Sequence, residues 1–413
     1  MFYGWRIVVV AMLAMGLSNG LNSYSYGLLV LPVGTEFGAS RMDMMWGLTA
    51  GSLTSVLISP FAGSLMDRRS ARMLFAVGAV SLALAMGVIA VSRNVWEFVL
   101  AFVLPMPIGA TLLGQIGTNT LVSRWFTKHR GRALGITALG TSIGGLSMPL
   151  IVQTLVDAYG WRTACLWLAA IVLLVLLPPV WLIVRNRPSD LGLHPDGGPG
   201  DAAARAAAPG AAAAQLPDLL KSVEFWRIAI AVGALMATFT VILANFVPYA
   251  IGHGVAARQA AFLISTVSVA GISGKLIFSI FADRIDLKWA LLGALALIAL
   301  SLGLLVRFHA HWIMLTAAGL VGLASGAFLP AWGALLARLY GPFIFGRVMG
   351  RMQPIAIIMV MLAMPLSGHL FDRTGSYGAT FLTMAGVAAL AFLILLPLRM
   401  NASEGAPARP QET

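Results

Sequence analysis

Long apolar runs recur along the whole chain, and they constrain its fold more than any other feature. A run of about 20 apolar residues is the length that a helix needs to cross a hydrocarbon layer ~30 Å thick. A helix also satisfies its own backbone hydrogen bonds, which lipid cannot do. The sequence therefore predicts an all-α integral membrane protein. We number the twelve runs of spanning size as the first to the twelfth span, at about 7–32, 44–65, 73–92, 96–120, 132–156, 161–184, 227–251, 258–281, 289–307, 311–337, 346–370 and 376–398.

The composition agrees with this class of protein. Hydrophobic residues make up 59% of the 413 residues and charged residues only 10%, whereas about a quarter of the residues in soluble domains are charged. The chain starts MFYGWRIVVV and stays apolar to Pro32 without a small-residue cleavage site. We therefore expect this stretch to be the first span rather than a removable signal peptide. The single Cys165 cannot form an intramolecular disulfide.

The formal net charge of +12 reflects an uneven distribution of basic residues. When the N-terminus is placed inside the cell, most Lys and Arg residues fall on cytoplasmic loops, as the positive-inside rule requires. The sequence thus predicts a multi-pass protein of the cell inner (plasma) membrane with both termini in the cytoplasm. Because topology and anionic lipid head groups explain the basic charge, we expect the lipid bilayer, and not nucleic acid, as a partner.

The spans divide into two groups of six. We predict an N-terminal six-helix bundle at 1–184, a partly disordered cytoplasmic linker at 185–225, a C-terminal six-helix bundle at 226–400 and a cytoplasmic tail at 401–413. The linker prediction depends on Asp196–Gln215, a low-complexity segment of Ala, Gly and Pro that cannot form a packed core.

The two halves share short motifs at nearly one offset along the chain. Asp67-Arg68 recurs as Asp283-Arg284, and Gly131-Arg132 recurs as Gly346-Arg347. Such repeats are typical of secondary transporters, whose binding sites lie near the middle of the membrane between the repeated units. We therefore expect two pseudo-symmetric bundles around a central cavity.

Lys275 is the one full charge in the apolar stretch Gln259–Ala282. At ~1.5 Å per residue its ammonium lies roughly 12 Å from the helix end near Asp283, close to the membrane midplane. A cation at that depth costs at least ~2.5 kcal/mol and must face a partner or a water-filled cavity. Lys275 is therefore the first candidate for a binding site. The alternative is a side chain that snorkels to the interface, although ~12 Å exceeds its comfortable reach.

Uncharged polar residues at similar depth are candidates for the rest of such a site. Gln115 is expected at the level of Lys275, and Asn22 and Tyr26 are expected on one face of the first span. The amides have an alternative role in helix packing, and the aromatic residues have one at the membrane interface. The candidate substrate-binding residues are Lys275, Gln115, Asn22, Tyr26, Asn119, Asn245, Trp332 and Gln353.

Several classes of function lack support in the sequence. All 15 acidic residues are expected in loops, at helix ends or in tails, so a buried carboxylate proton relay is not predicted. No nucleotide-binding loop of the form G-x-x-x-x-G-K-[ST] occurs. The His, Cys and Ser residues are scattered over different spans. We predict no enzyme activity, no metal and no cofactor.

The loop between the second and third spans carries a recognisable motif. It reads GSLMDRRSAR from Gly63 to Arg72 and resembles the G-x-L-x-D-R-x-G-R-K loop of the major facilitator superfamily. In that family the loop pairs its acid with arginines and helix ends and holds the inward-closed contact. The resemblance implies twelve transmembrane helices in two pseudo-symmetric six-helix bundles. It also implies a conformational loop motif made of Gly63, Asp67, Arg68, Arg72, Asp283 and Arg284.

Four further stretches resemble the monocarboxylate transporter and oxalate–formate antiporter branch of that superfamily. They read GWRIVVVAM with YSYGLLVLPV, SRWFTKHRGRALGI, RNRPSDLGLHPDG and GISGKLIFSIFADR. In that branch a basic residue at the position of Lys275 binds the substrate carboxylate. Oxalate-binding members have a second cation on the eleventh span, where this chain offers only Arg351 near the cytoplasmic mouth and the uncharged Gln353. Proton-coupled members have an acid where this chain has Gly271, and their lysine on the first span is absent here.

The resemblance implies a secondary active transporter that moves a small organic anion, and most simply a monocarboxylate, by alternating access. A proton or a counter-anion is the expected coupling partner, and the oligomeric state stays open. One alternative is an exporter of drugs or other amphipathic compounds, although a buried cation disfavours cationic drugs. An alternative from another class is a membrane sensor that binds a ligand without moving it. We expect no appended signalling domain, which argues against a sensor.

Overall fold

The computed structural model describes residues 2–39, 41–197 and 219–398, and these residues form helices and no β-strand. The centre of the predicted linker and the predicted tail at 401–413 lie outside the described residues. The helices confirm the predicted all-α membrane fold. The boundaries of the two bundles stay a prediction.

Twelve helical spans account for the described residues. Arg130–Ile183, 54 residues long, is broken at Gly160 (φ 75°) and therefore contains the fifth and sixth spans. Arg41–Arg68 supplies the second span. Besides Arg130–Ile183, the described helices that are long and apolar enough to cross a membrane are Gly4–Ser23, Ala71–Val91, Val95–Trp125, Val223–Gly252, Phe262–Phe281, Leu287–Arg307, His311–Tyr340, Phe345–Thr374 and Tyr377–Leu395.

The first span changes its helical geometry midway. An α-helix, Gly4–Asn19, continues as the π-helix Gly20–Ser25 and then as the α-helix Tyr26–Phe37. Asn22 lies within the π-helix and Tyr26 starts the following α-helix, so the predicted pair spans the change in helical geometry.

The fourth span consists of three short helices, Val95–Val103, Pro105–Leu113 and Gln115–Trp125. The second interruption falls at Gly114, whose backbone is extended (φ −80°, ψ −153°). A Cβ atom on Gly114 would lie 2.3 Å from the Ala110 carbonyl oxygen, so a larger residue does not fit this bend. The interruption places the start of a new helix inside the predicted fourth span.

Close helix packing within each half depends on glycine. A Cβ atom on Gly16 of the first span would lie 2.9 Å from the Gly140 carbonyl oxygen of the fifth span. In the C-terminal half, a Cβ atom on Gly326 would lie 2.4 Å from the Gly271 carbonyl oxygen. Small residues let membrane helices approach this closely. Gly140 belongs to a glycine-rich stretch of the fifth span, Gly135–Gly145, which therefore allows the first span to pack closely against it.

The segment after the sixth span folds back over the N-terminal half. The Tyr3 hydroxyl donates to the Ile183 carbonyl oxygen (2.7 Å), and the Ala71 N–H at the start of the third span donates to Asn186 Oδ1 (2.7 Å). Asp196 Oδ2 accepts from the N–H groups of Thr127 (2.8 Å) and Lys128 (2.6 Å). These bonds fix the loops at the predicted cytoplasmic end.

Candidate functional site

Lys275 lies where the two halves meet. Lys275 belongs to the eighth span, Ala257–Phe281, and is only 6% exposed. Its ammonium donates to the hydroxyls of Thr141 and Ser142 on the fifth span, both at 2.6 Å. In the described part of the chain no carboxylate lies within ion-pair distance of Lys275. An ammonium has three N–H donors, so one is left for a further acceptor.

A central cavity of about 250 Å³ adjoins this contact at Thr141. Both halves contribute to its wall, which explains how a ligand there would contact both. The polar side chains of the wall include four of the residues predicted from the sequence, namely Asn22, Gln115, Asn119 and Gln353.

The amides of the cavity differ in how well they are paired. Gln115 Nε2 donates to the Leu329 carbonyl oxygen of the tenth span at 3.2 Å, which joins the two halves. The side chains of Asn22, Asn119 and Gln353 form no hydrogen bond with the described residues, and Gln353 Oε1 is fully buried. An unsatisfied buried polar group costs about 1–3 kcal/mol. The cavity is therefore suited to a polar ligand.

Three predicted residues lie apart from both the cavity wall and the Lys275 contact. Tyr26 is buried against Phe98 and Phe102 within the N-terminal half. Asn245 joins the seventh and eleventh spans, because its Nδ2 donates to Ser367 Oγ at 2.9 Å. Trp332 is fully buried, and its Nε1 has no hydrogen-bond partner among the described residues.

Asp67 joins the second span to the start of the eleventh span. Its Oδ1 accepts from the Gly346 N–H (3.0 Å), and its Oδ2 accepts from the Arg347 N–H (2.8 Å) and Nε–H (3.3 Å). Its side chain is 1% exposed and lies 3.9 Å from Arg124 Nη2. A carboxylate at a helix start receives charge-assisted hydrogen bonds and a favourable helix dipole. The contact holds the two halves together at the predicted cytoplasmic end.

Asp283 makes the corresponding contact in the opposite direction, because it belongs to the C-terminal half and binds the start of a helix in the N-terminal half. Its Oδ1 accepts from the N–H groups of Gly131 (2.8 Å) and Arg132 (3.3 Å) at the start of the fifth span. Burial raises the pKa of the Asp283 carboxyl, and the two N–H donors oppose that rise. The repeated motifs of the sequence thus meet each other in pairs.

The other residues of the loop motif divide into two groups. A Cβ atom on Gly63 would lie 1.9 Å from the Gly346 carbonyl oxygen, so Gly63 permits the close approach of the second and eleventh spans. Arg68 and Arg284 are exposed. Arg72 Nε donates to the Val184 carbonyl oxygen (2.9 Å) within the N-terminal half. The glycine and the two acids therefore form the contact between the halves.

Hydrogen bonds join the halves at Asp67 and Asp283 near the predicted cytoplasmic end and at Lys275 beside the cavity. Arg130 Nη1 adds a bond to the Ala337 carbonyl oxygen (3.1 Å) near that end. Sequence reasoning missed two partners in this interface, Ser142 and the Leu329 carbonyl. A backbone carbonyl leaves no mark in the sequence, and Ser142 lies in a stretch whose glycines indicate packing.

Comparison with known proteins agrees with this architecture. The family model described as the Major Facilitator Superfamily matches residues 10–272 and 228–412. Monocarboxylate transporter 11 of Mus musculus is 28% identical over 395 residues, covering 92% of this chain and 84% of that protein. Monocarboxylate transporter 13 of Rattus norvegicus is 26% identical over 418 residues, covering 99% and 92%.

Solved structures share the fold at low sequence identity. The proton:xylose symporter XylE matches with a TM-score of 0.74 at 15% identity, covering 95% of each chain. The human organic anion transporter MFSD10 matches with a TM-score of 0.70 at 17% identity, covering 95% of this chain and 99% of that one. The family match extends over nearly the whole sequence, and the chain therefore belongs to the Major Facilitator Superfamily, with monocarboxylate transporters among its relatives.

Proposed function

We propose that this protein is a secondary active transporter of a small organic anion, most simply a monocarboxylate, that works by alternating access around the central cavity. One observation carries the proposal. The buried ammonium of Lys275 binds two uncharged hydroxyls beside the cavity and no carboxylate in the described part of the chain.

The energetics of a buried cation favour an anionic ligand. A charge taken out of water keeps a penalty of several kcal/mol unless an opposite charge and further hydrogen bonds compensate it. The hydroxyls of Thr141 and Ser142 supply dipoles but no charge. A substrate with one negative charge would neutralise Lys275, whereas a cationic substrate would add a second uncompensated charge.

The size of the cavity favours a small substrate. Its volume of about 250 Å³ lies below the ~300–1,000 Å³ that is typical of pockets for drug-sized ligands. The unpaired amides of Asn22, Asn119 and Gln353 would orient a polar solute there. Both features disfavour the rival function of exporting amphipathic drugs.

The relatives support the same class of substrate. Two of them are named monocarboxylate transporters, and a protein of the same fold is titled an organic anion transporter. By the distribution of Lys and Arg, we further propose that the protein lies in the cell inner (plasma) membrane with cytoplasmic termini. The closed end of the structure would then face the cytoplasm.

The proposal is tested by uptake into proteoliposomes with a panel of formate, acetate, propionate, lactate and pyruvate. We expect Lys275→Ala to lower uptake of the transported anion by at least about 100-fold, because it removes the partner of a buried charge. Lys275→Arg keeps the charge and should retain partial uptake. Lys288→Ala removes a lysine that neither lines the cavity nor contacts Thr141 or Ser142 and is the matched control.

The outcomes separate the rival functions. Full uptake by Lys275→Ala would remove Lys275 as the anion anchor. Saturable binding of a carboxylate without any flux would support the non-transporting sensor. Uptake driven by an inward proton gradient indicates symport, and uptake that requires an internal anion indicates exchange.

A further inference from the structure

The interruption of the fourth span leaves two unpaired backbone donors on residues that line the cavity. Gly114 and Gln115 both line the cavity wall, and Gly114 is the N-cap of the helix Gln115–Trp125, which no side chain caps. Neither backbone N–H donates a hydrogen bond to the described residues. Consecutive N–H groups at a helix start, together with the helix dipole, form an environment that favours an anion.

Backbone donors at this depth need an acceptor. Non-helical backbone inside a membrane is tolerated where it is buried in protein or lines a cavity, and a buried unpaired N–H loses the energy of a hydrogen bond. Two backbone carbonyl groups of this bend, in contrast, are paired. Gly114 O accepts from the Thr118 N–H (3.0 Å), and Ala110 O accepts from Ser18 Oγ (3.3 Å). The N–H groups of Gly114 and Gln115 are left for a ligand.

Asn119 points to a ligand independently. It lies one turn further along the same helix, is 3% exposed and lines the same cavity. Its side chain forms no hydrogen bond with the described residues. Buried amides in native proteins are paired as a rule, so this unpaired amide favours a polar ligand in the cavity.

The two positive features lie on opposite halves of the protein. Gly114 and Gln115 belong to the N-terminal half, and Lys275 belongs to the C-terminal half. Thr141 connects them, because it lines the cavity and accepts from the Lys275 ammonium at 2.6 Å.

We propose that the substrate carboxylate accepts hydrogen bonds from the backbone N–H groups of Gly114 and Gln115 while it faces the ammonium of Lys275. This inference rests on the proposed function and adds its second binding element. A single monoanion held in this way bridges the two halves. It explains how one cation suffices, since the helix start supplies the other half of the electrostatic attraction.

The test compares Gln115→Pro with Gln115→Ala. Both variants lose the side-chain bond to Leu329, and only the proline variant also loses the N–H of residue 115. Proline fits this position, because it is favoured as the first residue of a helix and requires an extended residue before it, as Gly114 is. The readout is the apparent affinity for the carboxylate panel, measured from ligand-induced thermal stabilisation of the purified protein.

We expect Gln115→Pro to bind the carboxylate roughly tenfold more weakly than Gln115→Ala, as for the loss of one charge-assisted hydrogen bond. Should Gln115→Pro not fold, the α-hydroxy analogue of alanine at position 115 replaces the N–H by an ester oxygen. That substitution should lower the affinity by a similar factor relative to Gln115→Ala.

The outcomes distinguish this inference from the function on which it rests. Equal affinities of Gln115→Ala and Gln115→Pro, with binding lost in Lys275→Ala, would overturn the backbone contact and leave the proposed function in place. Unchanged binding in Lys275→Ala, or no stabilisation of the wild type by any carboxylate of the panel, would overturn both.

Discussion

Replacing Asp67 by Asn should open the predicted cytoplasmic end of the transporter. The substitution keeps the shape of the side chain but removes its charge and turns one acceptor oxygen into an NH₂ donor. In the structure both oxygens are in use, since one accepts from Gly346 and the other accepts twice from Arg347. Whichever way the amide turns, its NH₂ group faces an N–H donor.

The size of the effect follows from those contacts. A hydrogen bond to a charged group contributes about 1.5–3 kcal/mol, and one between neutral groups about 0.5–1.5 kcal/mol. Asp67→Asn loses the bonds of one oxygen and weakens the bond of the other, at a side chain that is 1% exposed. The closed form should lose about 2–4 kcal/mol relative to the open form, which is roughly a 30- to 1,000-fold shift of the equilibrium.

Asp283→Asn is the matched control, because its contact has the same design but uses fewer atoms. Only Oδ1 accepts, from Gly131 and Arg132, and the side chain is 20% exposed. An asparagine can keep its carbonyl oxygen at that position and turn its NH₂ group outward. We expect a loss of about 1 kcal/mol, roughly a fivefold shift.

The assay is a distance measurement by double electron–electron resonance between spin labels at residues 69 and 289. Arg69 and Trp289 are exposed positions at the predicted cytoplasmic ends of the two halves. The background carries Cys165→Ala so that the labels are unique. We expect a long-distance population that is large in Asp67→Asn and small in Asp283→Asn. Equal populations in the two variants, or none in Asp67→Asn, would refute the assignment of the closing energy to these bonds.

Two further substitutions test the packing. Gly63→Ala should also populate the open form and slow transport, because its Cβ would lie 1.9 Å from a backbone oxygen of Gly346; Gly87→Ala, with open space around its Cβ, should leave the label distances unchanged. Asn186→Ala removes the side chain that accepts from the Ala71 N–H (2.7 Å) and should cost about 1 kcal/mol of stability, visible as a lower Tm in detergent. An unchanged Tm would show that water replaces this cap.

Hydropathy and internal repeats predicted the fold, because both signals extend over many residues. Each span must hold about 20 apolar residues whatever its neighbours are, and all twelve predicted spans correspond to helices. Departures from regular helix were not predicted. The π-helix at Gly20–Ser25 packs closely against another span, as the approach of a Gly20 Cβ to Met148 of the fifth span illustrates, whereas the break at Gly114 brings its Cβ close to Ala110 of the same span.

The site was predictable only where burying a residue type in the membrane costs free energy whatever its neighbours are. Lys275 could be predicted because a charged side chain in lipid is unfavourable unless it has a partner or a functional role. Gln115 was predicted from its depth along the helix alone. Tyr26, Asn245 and Trp332 lie apart from the cavity wall, because the rotation of each helix decides which face meets the cavity and the sequence does not record it. The backbone donors of Gly114 and Gln115 carry no residue signature at all.

The same arrangement, two consecutive N–H groups at a helix start, occurs at three places where the halves meet. Gly346 with Arg347 is bound by Asp67, and Gly131 with Arg132 is bound by Asp283. In both pairs one half of the protein supplies the carboxylate and the other half supplies the donors. The third pair, Gly114 with Gln115, belongs to residues that line the cavity and receives no carboxylate from the described chain. A carboxylate from outside would complete it in the same way, with Lys275 of the opposite half as its counter-charge. Substrate binding would then draw the halves together at the cavity by the same kind of bond that closes the predicted cytoplasmic end.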